Sequence, residues 1–400
     1  ELDARKMVKA FFTLAVILTG CLLVNKPGGA GAALVSSHVF SNHKGGCGKT
    51  TMLFHACSEY AMRHADEQVV VIDTTLRGDL SELLLGGDKG AAGKHALRAV
   101  AHLRSTTKMF MNAAAVHAAE EHADEGSSAL RSIVGKMFAK DKKDGKGGLL
   151  DIEDQLVKVH EFNPAIPKNV LLCPGGSGPQ TSFPQQQREA IVSTLRKCME
   201  EHSGKFKILC DTDGDQGFSD YTKIAHALCD NCVIPLKTNV NDFSNRCIPM
   251  LEELYIQRQQ GLARSQVQMI VWNEIDVYKN TASTVSGLIT PPKAAQGVIG
   301  MLNSLVAEVA ASYPDLFYNG APDDRAEMQE FGGATTMCMR SFGVTGLAAA
   351  EHGIPFCSMQ AGTLSGGRIN YEIAGDMLKQ LANNVAELAD RLNDPPWGRQ

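Results

Sequence analysis

Seven short stretches of this chain are apolar at almost every position, and they restrict its fold more than any other feature. They are residues 34–41, 68–73, 169–173, 206–211, 232–237, 267–273 and 354–359. A strand with one wet face alternates apolar and polar side chains, whereas a continuous apolar run suits a strand covered on both faces. Helical stretches separate most of the runs, at residues 50–63, 185–201, 242–260 and 293–311. Strands alternating with helices predict an α/β fold with a doubly wound, mostly parallel sheet.

Two regions exceed a minimal sheet of this kind. Residues 86–168 contain an alanine-rich stretch and then a lysine-rich one between Lys136 and Lys146, read as a helical insertion followed by a mildly basic loop. Asp141 and Asp144 interrupt those lysines, so a solvated loop explains them better than a nucleic-acid patch. Residues 313–343 are rich in Gly, Pro and Asp and read as an irregular connection. Near the C-terminus Ile373, Met377, Leu378, Leu381, Val385, Leu388 and Leu392 share one helical face. The other face mixes acids and bases, which predicts packing on the sheet rather than on a membrane.

The first 33 residues form a segment apart from the domain expected over 34–400. Arg5, Lys6 and Lys9 precede an apolar run over 10–24, and small residues follow at 28–33. That layout fits a signal or anchoring segment; it also fits a packed or non-native extension. Membrane contact is expected only through this segment. The net charge of −5 gives no general pull toward nucleic acid. Eleven cysteines, mostly inside apolar runs, read as reduced core residues. The expected location is the cytoplasm or another ATP-containing compartment, with N-terminal targeting left open.

The segment Ser41-Asn42-His43-Lys44-Gly45-Gly46-Cys47-Gly48-Lys49-Thr50-Thr51 leaves an expected strand and opens an expected helix. Gly45, Gly46 and Gly48 let the backbone turn tightly and aim successive N–H groups at phosphate oxygens. The helix start adds its positive dipole end. Lys49 is placed to reach the β- and γ-phosphates, and the Thr50 hydroxyl to bind Mg2+. The usual P-loop has glycine where this chain has His43.

The pattern Asn-x-Lys-Gly-Gly-x-Gly-Lys-Thr-Thr resembles the deviant P-loop of the ParA/MinD family of ATPases. The resemblance implies ATP and Mg2+ as cofactors, and a homodimer with ATP at its interface into which Lys44 reaches from the partner side. It extends over residues 34–359, with 86–168 poorly covered. Within it the 68–73 run ends in Asp73 near the phosphates. Asp211, closing Ile208-Leu209-Cys210-Asp211, corresponds to the acid that holds magnesium through water. Asn273 stands where the family has an adenine-contacting asparagine. The catalytic residues expected are Lys44, Lys49 and Asp73, with Asp213, which the family lacks, as a further candidate. The nucleotide-binding set is Gly45, Gly46, Cys47, Gly48, Lys49, Thr50, Thr51 and Asn273, and the metal set is Thr50 and Asp211.

Departures from the family matter as much. Asp73-Thr74-Thr75 has threonine where the family's second aspartate positions the attacking water, and Thr212-Asp213-Gly214-Asp215 replaces its Thr-Pro-Pro. Slow hydrolysis follows, with Thr75→Asp expected to be faster and Asp213 the one substitute carboxylate. Cys229 and Cys232 form a Cys-x-x-Cys that reads either as buried core or as half of a bridging iron–sulfur site. Cys47 reads either as a thiolate favoured by the loop or as a valine-like packing residue. The twelve histidines show no zinc-ligand spacing.

The leading expectation is an ATP-dependent dimerising switch with slow hydrolysis that positions or partitions a cargo: DNA, a protein assembly or a membrane complex. Its rivals are a non-hydrolysing nucleotide-binding scaffold and an iron–sulfur carrier on the same fold. The cargo and any activating protein are not legible.

Overall fold

A computed structural model of the chain describes residues 34–124, 152–176, 181–201, 205–214, 217–276, 289, 291–322, 325–366 and 369–393. The signal or anchor expected at 1–33 and the lysine-rich stretch at 136–146 lie outside the described residues. What is described falls within one unit, Ala32–Gln400.

Eight strands form one sheet: β1 Leu34–Phe40, β2 Gln68–Asp73, β3 Val157–Lys158, β4 Val170–Cys173, β5 Phe206–Asp211, β6 Asn231–Lys237, β7 Gln266–Ile275 and β8 Thr336–Arg340. Their order is β3-β4-β2-β5-β1-β6-β7-β8, parallel throughout except for the short β3 at the edge. The fold is thus α/β and doubly wound. β1 lies between β5 and β6, and in such sheets ligands bind beyond the carboxyl ends of the strands near the centre.

Burial on both faces explains why the strands read as near-continuous apolar runs. Phe40, Val71, Leu209, Val233 and Val271 feed one core together with Met52, Phe54 and Tyr60 of helix α1 (Lys49–Arg63). Val39, Val70, Ile208, Ile234 and Trp272 feed the other, under α5 (Gln185–Glu201), α6 (Asp220–Leu228), α7 (Ile248–Gln259) and α8 (Lys293–Ser312). Each large side chain so buried contributes about 1.5–3 kcal/mol. Further helices, apart from short turns such as Val240–Asp242, are α2 (Asp79–Leu84), α3 (Ala92–Ala101), α4 (Thr106–Asp124), α9 (Arg325–Thr335), α10 (Gly343–His352) and α11 (Gly375–Arg391).

Within residues 86–168 lie helices α3 and α4 and the edge strand β3. Residues 313–343 are more regular than their composition suggests, holding α9 and β8. The run at 354–359 is not a strand: Pro355 opens a 3-10 turn at Phe356–Ser358, whose Phe356 is buried. The helix expected over 242–260 is interrupted by a π-helical turn, Phe243–Cys247, before α7. Along α11, Leu378, Leu381, Val385 and Leu388 are buried as their spacing requires, whereas Ile373 belongs to a small hairpin of β9 (Gly362–Ser365) and β10 (Asn370–Ile373).

Candidate nucleotide-binding site

The glycine-rich loop joins β1 to α1 at the carboxyl edge of the sheet. Ser41 N donates to Val233 O at 3.1 Å and Asn42 Nδ2 to Pro235 O at 2.7 Å, fixing the loop to β6. Gly48 has φ 96° and ends the loop just before α1. A Cβ at Gly48 would sit 2.3 Å from Asn273 Nδ2, and Asn273 Nδ2 donates to Cys47 O at 2.9 Å. Glycine is therefore required twice there, for its backbone angle and for the approach of Asn273.

His43 occupies the missing glycine position without blocking the loop. Its ring is 8% exposed, meets Phe218 edge-on at 5.0 Å and lies 3.7 Å from Glu253 Oε2. Burial lowers its pKa, with Glu253 opposing. His43 does not line the cavity above the loop.

The fold brings Thr50 and Asp211 together. Thr50 Oγ1 donates to Asp211 Oδ2 at 2.7 Å, while Asp211 Oδ1 is buried with no hydrogen-bond partner. Burial, then the nearby Asp73 carboxylate, pushes the Asp211 carboxyl up to about 8, against the Thr50 bond and the Lys49 charge. A buried acceptor oxygen without a donor is costly unless something positive meets it. The donor set of hydroxyl and carboxylate oxygen is the kind that Mg2+ takes together with phosphates and waters, so these residues fit the ion.

Lys49 is 6% exposed, and its Nζ donates to Lys44 O at 3.1 Å and more distantly to Asn42 O at 3.4 Å. A phosphate oxygen in the loop would replace those neutral carbonyls with a charge-assisted partner. Lys44 reaches the other way and pairs with Asp242, whose N–H donates to Asn239 Oδ1 at 2.7 Å. The Cys47 thiol donates to Lys44 O at 3.2 Å, and burial raises its pKa although Lys49 is near. The packing role for Cys47 accounts for this geometry.

The two other acids differ sharply. Asp73 is fully buried, accepting from Thr75 N, Thr75 Oγ1, Ser81 N and Ser81 Oγ at 2.6–3.0 Å. Both its oxygens are committed to shaping the turn into α2. Asp213 lies toward the surface and accepts from Leu76 N at 3.2 Å. The segment carrying it presses on the glycine-rich loop, for a Cβ at Gly214 would lie 2.5 Å from Gly45 N. Asp215 lies outside the described residues.

A cavity of about 560 Å³ opens above the loop, lined by Gly46, Gly48, Lys49, Thr50, Thr51 and Asn273 from the expected set. Phe342, Gly343, Gly346 and Leu347 also line it, as do the acids Asp79, Glu82 and Glu274. Nothing in the sequence marked Phe342, because β8 itself was not recognised. Glu274 adopts a left-handed φ of 60° while pairing with Lys237 at 2.8 Å, a strained backbone of the kind found at ligand sites. Cys229 and Cys232 are absent from this region: both are fully buried, and Cys229 Sγ lies 3.5 Å from Cys210 Sγ. Thiols in that position cannot bridge two subunits through a shared cluster.

Solved structures similar to this chain are ParA- and MinD-type P-loop ATPases. An ATP complex of a substituted Cyanothece McdA is 13% identical over 92% of this chain and 100% of its own, with a TM-score of 0.46. The pNOB8 ParA bound to nonspecific DNA is 11% identical over 89% and 97%, at 0.44. The Aquifex aeolicus MinC:MinD cell division complex is 11% identical over 91% and 99%, at 0.42. No family model and no curated protein matches the chain.

Proposed function

We propose that this chain binds Mg2+ and ATP at residues 41–51 and acts as an ATP-dependent dimerising switch with slow hydrolysis. The observation that carries the reading is Thr50 Oγ1 on Asp211 Oδ2 beside the buried, unpartnered Asp211 Oδ1, at the foot of a glycine loop that also presents Lys49. Bound magnesium would supply charge neutralisation between the phosphates. The chain's own part is to hold the phosphates on loop N–H groups and Lys49, and to fix Thr50 and Asp211 for the ion. Asn273 secures the loop through Cys47 O.

A dimer face around the cavity mouth is supported by exposure. Leu347 is 63% exposed and Val344 58% on α10, and Leu76 is 50% exposed next to Asp213. Apolar groups left open around a nucleotide cavity suit a second copy. Lys44, held by Asp242, is the cation available to cross that face. Slow turnover is supported by Thr75, whose hydroxyl is spent on Asp73, and by the commitment of Asp73 itself. Asp213 is our candidate for the acid that orients water. In this reading the occupied dimer positions or partitions a cargo, as the sequence resemblance implies.

The test is equilibrium titration with a fluorescent ATP analogue. Native protein should bind it in a magnesium-dependent manner, and Lys49→Ala should lose binding at least tenfold. Unchanged affinity in Lys49→Ala would move the nucleotide elsewhere.

A further inference from the structure

A second recess lies between α5, α6 and the turn that follows α7, with a volume of about 260 Å³, and it shares no lining residue with the nucleotide cavity. Arg188, Arg196, Lys223 and Arg264 all line it, against the single acid Glu189. Their counter-ions lie at the edges. Arg188 Nη1 pairs with Asp220 at 2.9 Å. Arg196 Nη1 and Arg264 Nε share one oxygen of Asp230, at 3.4 and 3.1 Å. Glu189 accepts from Gln185 at 3.0 Å.

Four cations face three carboxylates, Asp220, Asp230 and Glu189, so one positive charge is left over. It sits on Lys223, which is half-buried and whose Nζ has no hydrogen bond or ion pair among the described residues. The guanidinium hydrogen bonds of Arg188 and Arg196 all run through Nη1, so Nε and Nη2 of each have no protein acceptor among the described residues. Guanidinium edges with an unpaired ammonium make a set that matches a compact dianion with several oxygens.

We infer that this recess binds a phosphate monoester carried by a small molecule. Its volume is below the ~300–1,000 Å³ of pockets that enclose a whole drug-sized ligand, so it suits a headgroup rather than a polypeptide segment. Its occupant would touch α6, whose His226 Nε2 lies 3.0 Å from Ser41 Oγ at the start of the phosphate loop. The inference does not rest on the nucleotide reading, since no residue is shared.

The test is isothermal titration of phenyl phosphate into the full chain carrying Lys49→Ala, which removes competition from the phosphate loop, at fixed ionic strength. Saturable binding at one site per chain is expected, weakened at least tenfold by adding Lys223→Gln. Arg264→Gln, a change at an exposed side chain, should weaken it several-fold and serves if Lys223→Gln does not fold. No saturable binding, or affinity untouched by these substitutions, overturns the assignment. So does binding confined to a single-stranded oligonucleotide without a terminal phosphate, which would make the recess a nucleic-acid contact.

Discussion

Replacing Thr75 by aspartate sets the folded site against its sequence. From sequence, the change restores the water-positioning carboxylate and speeds hydrolysis. In the fold, the Thr75 hydroxyl donates to Asp73 Oδ1 at 2.6 Å and accepts from Gly78 N at 3.1 Å, in a position 7% exposed. An ionised carboxylate cannot donate that bond. Two charged carboxylates ~4 Å apart repel by about 4 kcal/mol at an effective dielectric of about 20. Protonating the new group at neutral pH, roughly three pH units above its ordinary pKa, costs about 4 kcal/mol. Turning it away from Asp73 forfeits the hydrogen bonds, about 1–3 kcal/mol. The least costly escape sets the expectation. Thr75→Asp should lose about 1–3 kcal/mol of stability and hydrolyse ATP no faster than the native chain. Urea unfolding and phosphate release on the same preparation check both halves. A variant as stable as native with raised turnover refutes the account of Asp73 and Thr75.

Gly48→Ala forces a left-handed alanine against Asn273, at about 1–2 kcal/mol for the backbone and about 1 for the displaced bond to Cys47; ATP affinity should fall at least tenfold in the same titration. Lys44→Ala should retain nucleotide binding but not dimerise, as read by light scattering with a non-hydrolysable analogue. Asp242→Asn weakens the ion pair that holds Lys44 within its own chain; with such pairs worth up to about 1 kcal/mol, dimerisation should need up to about fivefold less nucleotide. Asp213→Ala should abolish the residual turnover while leaving binding intact, and a rate equal to native would remove Asp213 from the mechanism.

The glycine-rich turn between β1 and α1 was legible because its requirements are local: glycines at fixed spacing between an apolar run and a helix without breakers. The sheet was legible for the strands buried on both faces. β8 was missed because Thr336-Met337-Cys338-Met339-Arg340 mixes polar and sulfur-bearing side chains and directly follows a helix. The run at 354–359 misled for the opposite reason, being apolar through burial of Phe356 in a turn rather than through pairing. The commitment of Asp73 depends on Ser81, eight residues on, and the seat of His43 depends on Phe218 and Glu253. Sequence spacing does not encode contacts of that kind. The charge excess at Lys223 likewise arises only when α5, α6 and the turn after α7 are brought together.

The central claim is that nucleotide joins two copies of this chain through the face around the cavity. Sedimentation equilibrium with Mg2+ and a non-hydrolysable ATP analogue tests it most directly. The account predicts a mass of 43.0 kDa per particle without nucleotide and twice that mass with it, the doubling lost in Lys44→Ala. A particle that stays at one chain while the nucleotide site is saturated would contradict it.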